Sequence, residues 1–440
     1  MHAASVATNL ATGWYHSLII KSDGSLWAAG DNEFGQLGDG TNQTTNKLEQ
    51  IVPGGVSAVS AGGGHSLFIK SDGSLWAMGY NAYGQLGDGT TNNSNIPEEI
   101  VPSGVIAIAG GDYHSLFLKA DGSLWAMGDN LFGQLGDGTD SNVLIPEQIV
   151  PSGVTAMSAG ITHSLFIKSD GSLWAMGDNS FGEFGDGTIN STNRSRMILA
   201  SGVTAVAAGA FYSLFLKNDG SLWATGDEWY GGLGDGANGI NVYTNIPEEI
   251  VQSNVVAIAA GEHHSHFVMS DGSLWAMGAN DYGGLGDGKT NNVDRPELIV
   301  SNGVVAVVAG FYQDSWFLKS DGSFWATGYG NLGGLGDGFY GILLLPKQIF
   351  PPVPPVLSTP TIQSFSYPPP GQTNLVIAAT CFQGGRYCLL ASTNISLPVG
   401  LWTPVRTNSA GFRGKNNFNA SLPDPRNSNL PQQFYRLLAQ

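Results

Sequence analysis

The sequence Asp121-Gly122-Ser123-Leu124-Trp125-Ala126, followed at residues 132–138 by F-G-Q-L-G-D-G, is one copy of a motif pair that recurs along the chain and indicates its architecture. The string D-G-S-[LF]-W-A occurs seven times in the 440 residues, beginning at residues 23, 72, 121, 170, 219, 271 and 321. The string [LF]-G-D-G follows each copy, beginning at residues 37, 86, 135, 184, 233, 285 and 335. A unit of 49 to 52 residues therefore recurs seven times, and the chain has to be interpreted as an array of repeats.

Each unit contains four short apolar segments separated by turn signals. In the third unit these segments are residues 105–109, 115–119, 123–127 and 146–150, and an Asp-Gly hairpin joins the second to the third. The segments are apolar on both faces, which is typical of sheets packed on both sides. Seven four-stranded sheets of this kind predict an all-β, seven-bladed β-propeller over residues 1–350. The small-residue segment 107–111 is expected to be the innermost strand. The last blade is expected to pack on the first without an exchanged strand.

Composition changes near residue 350. Residues 1–350 carry a net charge of −22, whereas residues 351–440 carry +5 and contain 13 of the 21 prolines. We therefore expect a Pro-rich linker at 351–360 and a small β-sandwich-like module at 361–440. Its strands are predicted at 374–382, 386–393, 402–406, 417–420 and 433–438. The first two would form a hairpin around Gly384-Gly385 that places Cys381 opposite Cys388, a candidate disulfide.

Charge and cysteine content exclude several classes of protein. A strongly negative propeller is unsuited to nucleic acid, because phosphate contacts need Lys and Arg. The sequence contains no run of about 18 apolar residues, so no membrane-spanning helix is predicted. Two cysteines do not form a disulfide scaffold, and no Cys/His cluster has zinc spacing. We expect no metal and no cofactor, and a monomeric chain.

The repeat resembles that of the Regulator of Chromosome Condensation family. The resemblance rests on V-x-A-x-A-G-G-x-x-H-S-L-F-L, D-G-S-L-W-A-M-G and N-x-F-G-Q-L-G-D-G, and it covers about residues 5–350. It implies a seven-bladed propeller, a fold that carries many unrelated functions. The module, with Gly385–Asn394 and the ending Gln433–Leu437, is similar to C-terminal modules of large secreted proteins in Verrucomicrobia-like bacteria. That similarity implies an extracellular or cell-envelope protein, with a cytoplasmic location as the alternative.

The recurring polar residues are interpreted as structural. His16, His65, His114, His163 and His264 precede the second strand of their units, where Tyr212 and Asp314 stand in units five and seven. A ring of metal or proton sites is the functional interpretation, but a side chain that ties one strand to the next loop is favoured. The Asp of each D-G-S and G-D-G is a turn residue, since calcium loops crowd several ligands into one segment. This leaves no unassigned acid, base or nucleophile, and we expect no enzymatic activity.

The residues that vary between repeats are the candidate binding site. They lie between the glycine of the innermost strand and the His position, and we select Trp14, Tyr15, Asp112, Tyr113, Phe211, Glu262, His263, Phe311 and Tyr312. A ring of third-loop residues on the same face is interpreted as packing. It comprises Phe34, Tyr83, Phe132, Phe181, Tyr230, Tyr282 and Leu332.

Exposed aromatic residues in acidic surroundings predict a non-catalytic scaffold that binds a protein or a glycan through this face. The alternatives are an exchange-factor-type regulator of a small GTPase and a protein inhibitor of an enzyme. The family resemblance associates exchange-factor activity with a protruding insertion and a basic tail, and this sequence shows neither.

Overall fold

The computed structural model describes residues 10–239 and 242–350 in full and, beyond them, the backbone of six strands between residues 361 and 439. The chain divides into two compact units, Met1–Pro352 and Val353–Gln440. Every regular element in the described ranges is a β-strand. No helix long and apolar enough to span a bilayer is present there. The predicted linker at 351–360 lies outside the described residues.

The first unit is a propeller of seven four-stranded antiparallel blades, which confirms the predicted fold. Blade 1 consists of β1 (Leu10–Thr12), β2 (His16–Ile20), β3 (Leu26–Gly30) and β4 (Thr45–Val52). Blade 2 consists of β5 (Val56–Ala61), β6 (His65–Lys70), β7 (Leu75–Gly79) and β8 (Ser94–Val101). Blade 3 consists of β9 (Val105–Gly110), β10 (His114–Lys119), β11 (Leu124–Gly128) and β12 (Val143–Val150). Blade 4 consists of β13 (Val154–Ala159), β14 (His163–Lys168), β15 (Leu173–Gly177) and β16 (Thr192–Leu199).

The remaining three blades follow the same order. Blade 5 consists of β17 (Val203–Ala208), β18 (Tyr212–Lys217), β19 (Leu222–Asp227) and β20 (Tyr243–Val251). Blade 6 consists of β21 (Val255–Ala260), β22 (His264–Met269), β23 (Leu274–Gly278) and β24 (Val293–Val300). Blade 7 consists of β25 (Val304–Ala309), β26 (Asp314–Lys319), β27 (Phe324–Tyr329) and β28 (Ile342–Phe350).

Two ends of the propeller differ in the loops that emerge there. Each D-G-S sequence joins the second strand to the third; in blade 3 the Gly122 N–H donates to the Lys119 carbonyl at 2.9 Å, and Gly122 has a φ of +80°. We call this end the hairpin face. The loop after the innermost strand and the long loop containing G-D-G emerge together at the opposite end, which we call the loop face. In blade 3 the Asp129 N–H donates to the Tyr113 carbonyl at 2.8 Å and joins these two loops.

The core lies between blades. Leu116 and Leu118 of blade 3 pack with Phe166 and Met176 of blade 4, all essentially inaccessible to solvent. The first glycine of the G-D-G sequence in blade 3, Gly136, lies directly against the Met176 sulfur, so a side chain at Gly136 would displace it. Burial on both faces of each sheet explains why the strands carry continuous apolar runs.

The ring closes by packing of blade 7 on blade 1. Leu10 and Ile19 form one buried cluster with Trp316 and Phe324. The Ser17 hydroxyl also donates to a blade 7 carbonyl at 2.7 Å. Residues 304–350 supply all four strands of blade 7. No strand is exchanged across this seam, as the order of segments predicts.

The second unit contains two three-stranded antiparallel sheets. The first has the order β29 (Thr361–Ser366), β30 (Asn374–Cys381), β33 (Asn416–Pro423), and the second β32 (Thr403–Ser409), β31 (Arg386–Ser392), β34 (Phe434–Ala439). The predicted hairpin between β30 and β31 is wrong, because these strands belong to different sheets. Cys381 is paired with Asn416, and Cys388 with Thr407 and Leu438. The Cys381–Cys388 disulfide stays a prediction, since the described part of this unit is its backbone.

Candidate functional site

The recurring histidines lie beneath the loop face and connect neighbouring blades. His114 begins the second strand of blade 3, is fully buried, and places Nε2 2.9 Å from Oγ of Ser164 in blade 4. The Ser164 hydroxyl donates to the Gln134 carbonyl in the third loop of blade 3 at 2.8 Å. Equivalent pairs are His16–Ser66, His65–Ser115, His163–Ser213 and His264–Ser315.

This arrangement fixes the tautomer of the imidazole. The single Ser164 proton goes to the Gln134 carbonyl, so His114 has to donate from Nε2. Its Nδ1 has no hydrogen-bond partner among the described residues, and burial lowers the pKa of His114 to about 3. A neutral imidazole held in this way ties two blades together. The role is structural, as predicted, but the partner is a serine on a strand of the neighbouring blade and not the next loop.

Two other side chains complete the ring of ties. The Tyr212 hydroxyl lies 2.7 Å from the His264 carbonyl and 2.9 Å from the Ser265 hydroxyl, and Ser265 donates to the Gly232 carbonyl at 2.7 Å. Asp314 accepts a hydrogen bond from the Thr12 hydroxyl and joins blade 7 to blade 1. Burial raises the pKa of Asp314 to about 7, with the Thr12 hydrogen bond acting in the opposite direction. Each blade is therefore tied to the next whichever residue occupies the position.

Above these ties, the first loops are linked to one another by backbone hydrogen bonds. The Trp14 N–H donates to the Gly63 carbonyl at 3.1 Å, the Gly63 N–H to the Gly111 carbonyl at 3.2 Å, and the Asp112 N–H to the Gly160 carbonyl at 3.2 Å. The backbone of these loops is thus held in place, and the side chains that vary between blades project from a fixed frame.

One group of candidate residues forms an aromatic assembly, which we call the first-loop cluster: Trp14, Tyr15, Tyr113 and Tyr312. The Trp14 ring lies 5.6 Å from Tyr113 and 6.4 Å from Tyr312, and the Tyr15 ring lies 4.4 Å from Tyr312. Trp14 belongs to blade 1 and Tyr113 to blade 3, and they meet because blade 2 has only Gly63-Gly64 between them. Tyr312 is 36% exposed, whereas the other three are half-buried.

Asp112 lies beneath this cluster and is 4% exposed. Its side chain reaches over Gly63 toward the indole of Trp14, where a side chain on residue 63 would collide with both. Burial raises the pKa of Asp112 to about 7; Trp14 opposes the shift, and the charge of Glu262 adds to it. Asp112 is therefore part of the support of the loop face rather than its surface.

A second group, which we call the blade 5–6 cluster, consists of Phe211, Trp229, Tyr230 and His263. The His263 ring lies 4.9 Å from Tyr230 and 6.1 Å from Phe211, and Trp229 stacks on Tyr230 at 5.5 Å. Asp227 and Glu262 oxygens lie 3.9 Å from the imidazole, yet burial lowers the pKa of His263 to about 4. We assign His263 as neutral, because burial is the largest effect and both contacts are long for an ion pair.

The structure brings all nine candidate residues to the loop face, but they differ in accessibility. Phe311 is 9% exposed and offers little surface for a partner. Glu262, Phe211 and His263 are half-buried. Residues of the third-loop ring contact the candidate residues. The Tyr83 ring lies 5.0 Å from the Tyr113 ring, and the Phe181 ring lies 5.5 Å from the Phe211 ring. Both loops therefore build one surface, and Phe132 and Tyr282 are among its exposed members, at 43% and 39%.

Sequence reasoning missed a carboxylic acid that replaces an amide in blade 4. In blade 3, the Gln134 amide donates to Asp129 at 2.8 Å. Glu183 occupies this position in blade 4, where one oxygen accepts from the Phe181 N–H at 3.0 Å and the other has no partner among the described residues. Burial, reinforced by the charge of Asp178, raises the pKa of Glu183 to about 8.

Blade 5 contains a second replacement of the same kind. In blade 3 the Asn130 amide donates to Asp137 of the G-D-G sequence at 3.0 Å. Glu228 stands at the corresponding place and faces Asp235, and burial followed by this negative charge raises its pKa to about 9. The signal was present in the sequence, because Glu183 stands where blades 1–3 read Q, and Glu228 stands where five of the other six blades read N. Among the described residues no group of three or more His, Cys, Asp or Glu is placed to hold a metal ion.

Comparison with known proteins agrees with the repeat structure. The RCC1-like domain family matches residues 2–195, and regulator of chromosome condensation (RCC1) repeat families match residues 203–231, 255–283 and 271–312. The propeller is thus built from RCC1-type repeats. No curated protein matches the sequence.

Similar solved structures share the fold at low sequence identity. Prp20p from Saccharomyces cerevisiae, described with its binding to Gsp1p and histones, has a TM-score of 0.67 and 21% identity, covering 76% of this chain and 88% of its own. Yeast RCC1 (Prp20) bound to Kap60 has a TM-score of 0.67 and 20% identity, covering 80% and 89%. Human WBSCR16 has a TM-score of 0.66 and 21% identity, covering 74% and 94%. At these identities the comparison shows the propeller fold.

Proposed function

We propose that this protein is a non-catalytic scaffold that binds a partner protein through the loop face. One observation carries the proposal: large apolar side chains from blades 3, 5, 6 and 7 remain exposed on this face. They are Leu131, Phe132, Trp229, Tyr282 and Tyr312, between 36% and 68% exposed. The hairpin face instead presents the same D-G-S turn in every blade. Clustered exposed aromatic residues are typical of protein-binding surfaces.

The charge of the propeller specifies the kind of partner. Its net charge of −22 attracts basic surfaces and accelerates their association. The partner would therefore offer an apolar patch bordered by Lys and Arg.

The remaining parts of the proposal concern catalysis and location. The non-catalytic role is supported by the structural assignment of the recurring His and Asp residues. An extracellular or cell-envelope location is supported by the resemblance of the second unit to modules of secreted proteins. We expect the protein to act as a monomer.

Site-specific photocrosslinking tests the proposal in the full chain. A benzophenone amino acid would replace Phe132 on the loop face in one variant and Ile106 in another. Ile106 is 57% exposed in the same blade, and β9, where it lies, begins at the hairpin face. We expect a protein adduct from position 132 in extracts of the source cells and none from position 106. Adducts from position 106 alone, or from both positions equally, would contradict the proposal.

A second candidate function is regulation of a small GTPase. It is supported by the similarity to Prp20p, which binds Gsp1p. Identification of a small GTPase as the position 132 adduct, with faster nucleotide release from that GTPase when the full chain is added, would favour this candidate over a passive scaffold.

A further inference from the structure

A shallow cleft opens on the loop face between the third loops of blades 5 and 6. It has a volume of about 270 Å³ and is lined by Trp229, Tyr230, Asn238, Gly239 and Asn292. It lies where blade 5 departs from the repeat, because the interval between D-G-S sequences lengthens from 49 to 52 residues there. Pockets for drug-sized ligands measure about 300–1,000 Å³, so this cleft suits a single ring.

The floor of the cleft is an aromatic platform. Trp229 is 46% exposed at a position where the other blades have Glu33, Ala82, Leu131, Ser180, Asp281 and Asn331. Its ring stacks on Tyr230 with an interplanar angle of 12°, and Tyr230 packs on His263. The indole is therefore held in a fixed orientation while one side stays accessible. Blade 5 alone among the seven supplies a Trp here.

The walls supply one hydrogen-bond acceptor and one donor. Asn238 uses its amide N–H to bond Asp294 at 2.7 Å, which leaves its carbonyl oxygen to accept. Asn292 uses its carbonyl oxygen to accept from the Asn280 N–H at 2.8 Å, which leaves its NH₂ group to donate. A hydroxyl group both donates and accepts, so two neighbouring hydroxyls match this pair.

Among the described lining residues, the groups that can hydrogen-bond are neutral amides, backbone groups, the Trp229 indole N–H and the Tyr230 hydroxyl. Asp227 and Asp235 belong to the same blade, and negative charge on them would repel an anion. A ligand with one apolar face and several uncharged hydroxyls satisfies the platform, the walls and the surroundings together.

We infer that this cleft binds one neutral pyranose ring, with the apolar face of the sugar on Trp229 and adjacent hydroxyls on Asn238 and Asn292. The cleft shares Trp229 with the proposed partner-binding surface, but it uses neither Phe132 nor the first-loop cluster. Variants at Phe132 therefore distinguish the two functions. It assigns the long third loop of blade 5 to carbohydrate recognition.

The test uses the full chain with four neutral hexasaccharides as probes: cellohexaose, mannohexaose, xylohexaose and N-acetylchitohexaose. Saturation-transfer NMR and quenching of tryptophan fluorescence would measure binding at millimolar sugar. We expect at least one hexasaccharide to bind saturably, Trp229→Ala to weaken it at least about tenfold, and Trp229→Phe to retain part of the affinity. Asn238→Ala should weaken binding by about three- to tenfold, since it removes one hydrogen bond.

Matched controls separate this site from the rest of the loop face. Phe132→Ala removes an aromatic ring of similar exposure without touching the cleft and should leave sugar affinity unchanged. A hexaproline peptide is the second probe, because proline rings also stack on tryptophan; we expect it to bind more weakly than the sugar. Absence of binding by all four sugars, equal loss in Phe132→Ala, or preference for the peptide would overturn the inference. Crosslinking at position 132 would be unaffected by any of these results.

Discussion

The hairpin face and the loop face are built from the same seven repeats but use them in opposite ways. In blade 3 the hairpin face has Asp121 accepting from the Ser123 N–H at 2.9 Å and hydroxyl at 2.6 Å, while the Trp125 indole donates to the Ser123 hydroxyl at 2.8 Å. The other six blades repeat these contacts within about 0.2 Å. On the loop face no two first loops have the same residues. The positions that repeat serve folding, and those that vary are available for recognition.

The ties beneath the loop face provide the largest expected effect on stability. His114→Ala would remove a fully buried imidazole, leave a cavity between blades 3 and 4, and deprive Ser164 of its donor. We expect the free energy of unfolding to fall by about 3 kcal/mol. Urea unfolding followed by tryptophan fluorescence would measure it.

Blade 5 offers the matched control for this change. Tyr212→His would introduce the residue found in five of the other six blades while keeping a polar ring between blades 5 and 6. Tyr212→His should lower the free energy of unfolding clearly less than His114→Ala does. A larger loss for Tyr212→His would mean that the tie itself contributes little and that the size of the side chain dominates.

Much of this comparison could be predicted from the sequence. The seven copies of the D-G-S sequence predicted seven blades. The order of the four segments in each unit predicted that blade 7 packs on blade 1 without an exchanged strand, and which loops share each face. The depth of Asp112 and Phe311 could not be predicted, because it depends on neighbouring blades; Asp112 is buried only since blade 2 has Gly63 where Trp14 passes. The predicted β30–β31 pairing was wrong because two glycines permit a hairpin locally, whereas β30 pairs with β29 and β33, and β31 pairs with β32 and β34.

The acids that replace amides on the loop face predict a dependence of stability on pH. Burial raises the pKa of Glu183 to about 8 and of Glu228 to about 9, from an ordinary value of 4.5. The folded state therefore binds more protons than the unfolded state between these values. The stabilisation of the folded state by both protonated acids is fully present below about pH 4.5 and is lost as the pH rises through 8 to 9.

Restoring the amides should remove this dependence. The double variant Glu183→Gln, Glu228→Asn is expected to unfold at nearly the wild-type temperature near pH 5 and to be more stable near pH 9 by about 2 kcal/mol. Thermal unfolding over this pH range checks the prediction. Gln134→Glu is the converse variant in blade 3 and should introduce the same loss at high pH. A wild-type curve parallel to that of the double variant would contradict it.

The smallest expected effect concerns the hairpin face, where the seven blades differ at one contact. Lys119 places its ammonium 4.2 Å from the centre of the Trp125 ring, and five other blades have an equivalent lysine. Blade 6 has Met269 instead, yet Trp275 there keeps its hydrogen bond to Ser273 at 3.0 Å. The lysine is therefore an addition to a turn that forms without it.

Lys119→Met should lower the free energy of unfolding by about 0.5–1 kcal/mol, the usual contribution of a cation above an exposed ring. Met269→Lys should raise it by a similar amount, because the Trp275 ring is already in place. Equilibrium urea unfolding of both variants measures the two changes, and a loss in Lys119→Met as large as that in His114→Ala would show that the cation, rather than the Asp–Ser–Trp contacts, holds the hairpin.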